Sequence, residues 1–222
     1  MDTEQQRAQL LQLSQEGGAL SDGMKPEEIE ALAGHADSEI RYLTAGLLAD
    51  GSGLPQAERL LQRLAGDPDA LVRVQAVDSL STYTTESSFS AMEKALEDPC
   101  ELVRSYAALG LGWIGTVLKK SSAVLLLQTH RKTASVLREQ AACCEALYLL
   151  GQREALEDLL NLFPHGREQE QCFILNGLQE LVNPYILDRI CSFLAETKTL
   201  ELAPSVRSSL DALALTCRNF SR

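Results

Sequence analysis

Aromatic side chains are scarce in this chain. Its 222 residues include one tryptophan, five tyrosines and five phenylalanines. Alanine and leucine dominate instead, which favours closely packed helices over a sheet. Long apolar runs are also missing. The longest, Ala123 to Leu127, is about five residues, whereas a membrane-spanning helix takes about 20. The first residues, Met1-Asp2-Thr3-Glu4-Gln5-Gln6-Arg7, are polar and acidic and carry no signal peptide. The expectation is a cytoplasmic protein without a membrane partner.

The residues that hold metals and nucleotides are thinly placed. Cys100, Cys143, Cys144, Cys172, Cys191 and Cys217 form no CxxC pair and no histidines are interleaved with them. That argues against a zinc site and for reduced cysteines used as small core residues. The three histidines have no ligand spacing. Gly110, Gly112 and Gly115 lie within a helical pattern with no strand before them, so they do not read as a phosphate cradle. No cofactor and no catalytic residue is expected. Basic residues are in deficit too: the net charge is −11. Residues 1–50 hold ten acids and three bases, or −7, and the other 172 hold 21 acids and 17 bases, or −4. That balance argues against a nucleic-acid partner. Locally the deficit reverses. Between Leu102 and Arg138 there is no Asp or Glu, while Arg104, Lys119, Lys120, Arg131, Lys132 and Arg138 all fall there. The band is either a positive patch or a structural arginine with solvated lysines.

What is present is a repeat. Asp98-Pro99-Cys100-Glu101-Leu102-Val103-Arg104 nearly copies Asp67-Pro68-Asp69-Ala70-Leu71-Val72-Arg73. Arginine recurs at 41, 73, 104, 138 and 207, with Gln171 where the missing one would fall. A fixed period of this size implies a solenoid. The spacing predicts a lone helix over 3–15 stopped by Gly17-Gly18, then six pairs. These are 26–34 with 37–49, 55–65 with 68–82, 87–97 with 99–116, 117–129 with 133–150, 153–163 with 167–182 and 184–196 with 204–218. Pro26 and Pro68 suit helix starts, and Asp67 is placed to cap the helix after it. In the second helices, apolar or small residues at 72, 76, 79 and 80, and again at 103, 107, 110 and 111, form one face. A single pair cannot bury that face, but stacked pairs can. The chain divides into an N-terminal capping helix and loop, 1–23, and one repeat array, 24–219. The acidic N-terminal end reads as a soluble cap or as a lure for a basic partner.

These pairs, with Asp-Pro opening the second helix and a Val-Arg-x-x-Ala-x-x-x-Leu run inside it, resemble HEAT repeats, closest to the short bacterial type named for phycobilin lyases. The resemblance covers residues 24–218 and is sharpest in the second and third pairs. It implies an all-α, right-handed α-solenoid. It also implies that the Asp of the turn and the Arg six residues on form a ladder between adjacent repeats, with Asp67 and Arg73, and Asp98 and Arg104, matching those positions here. His35, Lys132, His165 and Glu201 stand at the aspartate place elsewhere. HEAT-like hydroxylases carry His-Glu iron ligands, and this chain has no His-Glu dipeptide. The reading that follows is a non-enzymatic scaffold or adaptor that binds a protein in a groove lined by the second helices. Gln75, Tyr106, Trp113 and Gln140 are expected near the contact, because three of them stand two residues after a repeat arginine. Trp113 is either an interface anchor or packing between repeats. Glu145 is either a shift in packing phase or a buried acid. The alternatives are a bilin-lyase-like enzyme or enzyme partner, and a toxin-immunity or effector-binding protein.

Overall fold

The computed structural model of the chain describes residues 2–18, 20, 24–49 and 54–220. Among these, 13 α-helices, a 3-10 turn at 163–165 and no strand are found. This is the all-α solenoid class. The helices are α1 Thr3–Glu16, α2 Pro26–Ala33, α3 Ser38–Leu47, α4 Ala57–Leu64, α5 Ala70–Leu80, α6 Glu86–Ala95 and α7 Glu101–Leu118. Then come α8 Ser122–Thr133, α9 Leu137–Leu149, α10 Ala155–Leu162, α11 Glu168–Leu181, α12 Leu187–Thr197 and α13 Pro204–Phe220. The chain divides into two compact units, residues 1–123 and 124–222.

In the first unit α1, α3, α5 and α7 pack side by side as one row, and α2, α4 and α6 flank them as a second. The first helix packs against α3 at the end of this row and buries Leu10. Its ends are set locally. Asp2 accepts from Gln5 N in a capping box, and Gly17 closes the helix at φ 66°, a left-handed conformation that glycine adopts freely.

Two sequence expectations about helix starts and ends are corrected. Asp67 does not cap α5; Asp69 does, accepting from Leu71 N at 2.8 Å. Pro68 thus precedes the helix instead of opening it. The third pair's second helix does not stop at 116. Gly115 stays helical, and α7 continues to Leu118 until Lys119 turns left-handed at φ 57° and Lys120 N bonds back to Gly115 O at 2.8 Å. The fourth pair starts later in consequence, with helices at 122–133 and 137–149. Gly110 has a packing role: a Cβ there would come 2.8 Å from Met92 Sδ, so glycine lets α7 close on α6.

In the second unit α9, α11 and α13 form the row, with α10 against α9 and α12 against α13. Leu156, Leu159, Leu160, Ile174, Leu178, Ile190, Val206 and Leu213 build its core. Phe163 and Phe193 meet edge to face in it, with ring centroids 5.2 Å apart at 86°. Cys143, Cys144 and Cys217 are buried, and Cys191 is exposed, unlike the core cysteine expected there. Burial pushes the Cys143 thiol to about 12 and the Cys144 thiol to about 11, so neither is a ready nucleophile.

Candidate functional site: the row of second helices

Each second helix enters through the same turn. Four residues after its N-cap stands one side chain that reaches back to the carbonyls of that turn. Arg41 Nη1 donates to His35 O at 2.8 Å and Ala36 O at 3.0 Å. Arg73 Nη1 donates to Asp67 O at 2.9 Å and Pro68 O at 3.3 Å, and Arg104 Nη1 to Asp98 O at 2.7 Å. The rest of the guanidinium fork points forward to the next repeat. Arg41 holds the Asp67 carboxylate through Nε at 2.7 Å and Nη2 at 2.8 Å. Arg73 holds that of Asp98 at 2.8 and 2.9 Å.

Each carboxylate also accepts from the backbone two residues on, Asp67 from Asp69 N and Asp98 from Cys100 N. Burial alone would raise both carboxyls. The arginine and amide hydrogen bonds outweigh it and hold both below the usual range. The ladder begins before its first expected rung, with Arg7 of α1 pairing with Asp37 and Glu39. His35 stands at the aspartate place and does half of its work, its Nδ1 accepting from Asp37 N at 3.0 Å.

The ladder between adjacent repeats thus runs from Arg41 to the Asp67 carboxylate and from Arg73 to that of Asp98, while Arg104 donates to the Asp98 carbonyl. The fork geometry requires both: one edge of the guanidinium binds the turn, and the other is left for a planar carboxylate. The fourth repeat also changes. Gln140, not Arg138, stands four after the N-cap Val136, and its Nε2 donates to Ala134 O at 2.8 Å. Gln140 was expected in the groove; it is committed to the turn. Arg138 instead lies 5.6 Å from the Phe173 ring centroid. Gln171, with Nε2 donating to Phe163 O, and Arg207, with Nη2 donating to Leu200 O, complete the series.

Two cations of the acid-free band are paired with acids from outside it. Lys120 meets Glu86 at 2.6 Å and Arg131 meets Asp158 at 2.5 Å.

One flank of α7 is apolar. On α7 the core takes Val103, Ala107, Leu111 and Ile114. At about 100° per residue a flank about 110° from that direction carries Leu102, Tyr106, Leu109, Trp113 and Val117. The first three are half-buried, while Trp113 is 52% and Val117 48% exposed. Leu71, at the α5 position matching Leu102, is 60% exposed. Gln75, expected in this row, lies against Gly46 of α3, with its Nε2 on Ser79 Oγ at 3.2 Å. Trp113 and Tyr106 thus share one side of α7. Leu71, Leu102, Leu109 and Val117 were missed by sequence reasoning, although Leu102, Leu109 and Val117 lie three or four residues from Tyr106 or Trp113 and Leu71 lies one repeat before Leu102.

Among the described residues no three His, Cys, Asp or Glu side chains gather as a metal site, and no helix is long and apolar enough to cross a membrane.

Models of HEAT repeats match residues 26–99 and 60–147, together more than half the chain. No curated protein sequence matches it. Eighteen chains of solved structures do. One belongs to the complex of CpcE and CpcF of phycocyanin lyase from Nostoc sp. PCC7120. It is 18% identical, covers 86% of this chain and 95% of that chain, and has a TM-score of 0.48.

Proposed function

This chain belongs to the HEAT-repeat family, and on that premise we propose that it is a non-enzymatic scaffold that binds a protein on the apolar flank of α7. One observation carries the reading: Trp113, Val117 and Leu71 are large apolar side chains left about half exposed or more on one side of the row. Clustered exposed apolar side chains on a folded surface mark interaction sites, and tryptophan is the residue most enriched among binding hot spots. Tyr106 extends the surface toward the start of α7. The Arg–Asp rungs stand at the helix entrances and hold α3, α5 and α7 in register, so the apolar side chains form a pre-organised surface.

A photo-crosslinking residue at Val117 tests this, with one at Glu93 on the flanking row as control. The expected result is a protein captured from position 117 and not from 93. Its affinity, measured with the purified pair, should fall about fivefold to thirtyfold in Trp113→Ala, the equivalent of about 1–2 kcal/mol. Equal capture from both positions, or unchanged affinity in Trp113→Ala, overturns the site. A bilin that the protein binds and transfers to an acceptor protein overturns the non-enzymatic reading.

A further inference from the structure

The second unit holds a carboxylate that the ladder does not use. Glu145 lies five residues after Gln140, on α9, where the helical period turns a side chain outward. Yet it is only 8% exposed. It folds sideways onto α11, into the space a side chain at position 177 would fill. A Cβ on Gly177 would sit 2.1 Å from Glu145 Oε2 and 3.4 Å from Oε1. Glycine at 177 is what gives this carboxylate its place.

Among the described residues no hydrogen bond or ion pair reaches Glu145, and the one charged group whose field bears on it is another carboxylate, Glu180, one helical turn past Gly177. The Glu145 oxygens are not among the fully enclosed polar atoms that lack a partner, so they keep a route to solvent. Burial and the Glu180 charge raise the Glu145 carboxyl to about 7. A carboxylate that is nine-tenths buried, unpartnered and faced by a like charge is costly to a fold. Among the described residues no cation bears on it.

We propose that Glu145 and Glu180 form a two-carboxylate subsite that receives an arginine side chain of a bound protein. The subsite is built from α9 and α11 alone and does not depend on the α7 surface. Charge complementarity selects a cation. Two carboxylates are too few for a protein-held calcium ion, which takes six to eight oxygen ligands. A guanidinium fits better: it is weakly hydrated, so it approaches a partly desolvated carboxylate at lower cost than an ammonium. Its planar fork can also donate to one carboxylate in two places and reach a second.

The test titrates the full chain with Nα-acetyl-arginine amide and follows the side-chain carboxyl carbon of Glu145 by NMR. Nα-acetyl-citrulline amide, the neutral isostere, and calcium chloride are run in parallel. The expected result is a saturable shift with the arginine amide, absent with citrulline, together with a fall in the Glu145 pKa. Glu180→Gln should weaken the arginine amide about tenfold, the size of a lost charged hydrogen bond. Glu145→Gln, with its helical spectrum unchanged, should lose the saturable shifts of neighbouring α11 amides. An equal response to citrulline, a response to calcium alone, or no saturation with the arginine amide overturns the subsite. None of these readouts involves Trp113 or its partner, so the two proposals fail separately.

Discussion

Arg73 and Asp98 join two repeats by a two-point contact. Nε and Nη2 of the arginine donate to Oδ2 and Oδ1 of the aspartate at 2.8 and 2.9 Å, with the two side chains 13% and 10% exposed. The same guanidinium holds the carbonyl of Asp67, whose carboxylate is gripped by Arg41. Each rung therefore braces the turn that presents the next rung.

Arg73→Ala is expected to cost about 2–4 kcal/mol, because it strands a largely buried carboxylate and two turn carbonyls. Arg73→Lys should recover only a small part, since an ammonium cannot span the carboxylate and the turn. Arg59→Ala removes a bridge to Glu30 whose side chains are 59% and 40% exposed, and it should leave the urea midpoint nearly unmoved. Equal midpoint shifts for Arg73→Ala and Arg59→Ala would contradict the ladder's structural weight.

Glu145 sets a pH dependence of opposite sign to the ladder's. Its carboxyl is raised from 4.5 to about 7 in the folded chain, first by burial and then by Glu180. The folded state therefore binds the proton more tightly than the unfolded state. Its contribution is fully present below about 4.5 and is lost as pH rises to about 7, a loss of about 3 kcal/mol. Glu145→Gln should remove that slope and leave the protein more stable than the parent above pH 7. Asp67 and Asp98 are depressed below 3.8, so their contribution is present above that pH and lost as pH falls through their folded values. Urea titrations between pH 4 and pH 8 on parent and variant check the Glu145 slope; identical curves would remove it.

Gly177→Ala should eject Glu145 from its cleft. The new Cβ would meet the far end of a flexible side chain, so the carboxylate swings to solvent instead of the helices parting. The expected outcome is a folded protein whose Glu145 titrates near the ordinary glutamate value by NMR. A protein that fails to fold, or a Glu145 that still titrates near 7, would show that the space is not shared in this way.

Gly110→Ala tests the approach of α6 to α7. Its Cβ would crowd Met92 Sδ at 2.8 Å and Cε at 3.1 Å, an overpacking expected to cost about 1–3 kcal/mol. In a Met92→Ala background the same substitution should cost clearly less, because the two sites share one volume. Strict additivity in thermal or urea unfolding would contradict the contact.

Much of this architecture was readable from residue order. The helix count and pairing followed from Pro, Gly and Asp punctuation and from a period of three and four in the apolar positions, which are local matters of capping and burial. The boundaries around 117–136 were misplaced because no proline or glycine marks the end of α7. Lys119 supplies the left-handed turn, at a position where its type gives no warning. That slip moved the repeat register by two and put Arg138 where Gln140 belongs.

The sequence by itself determined the fold class and the ladder's residue types. Periodic burial and turn chemistry act over a few residues and leave their pattern in the chain. Tertiary structure alone decided which carboxylate each arginine holds, since the fork's second edge reaches 25 or 26 residues ahead, from Arg73 to Asp98 and from Arg41 to Asp67. It also decided the state of Glu145. Local spacing faces that side chain outward, and only the missing Cβ of Gly177 on a neighbouring helix opens the space in which it is buried.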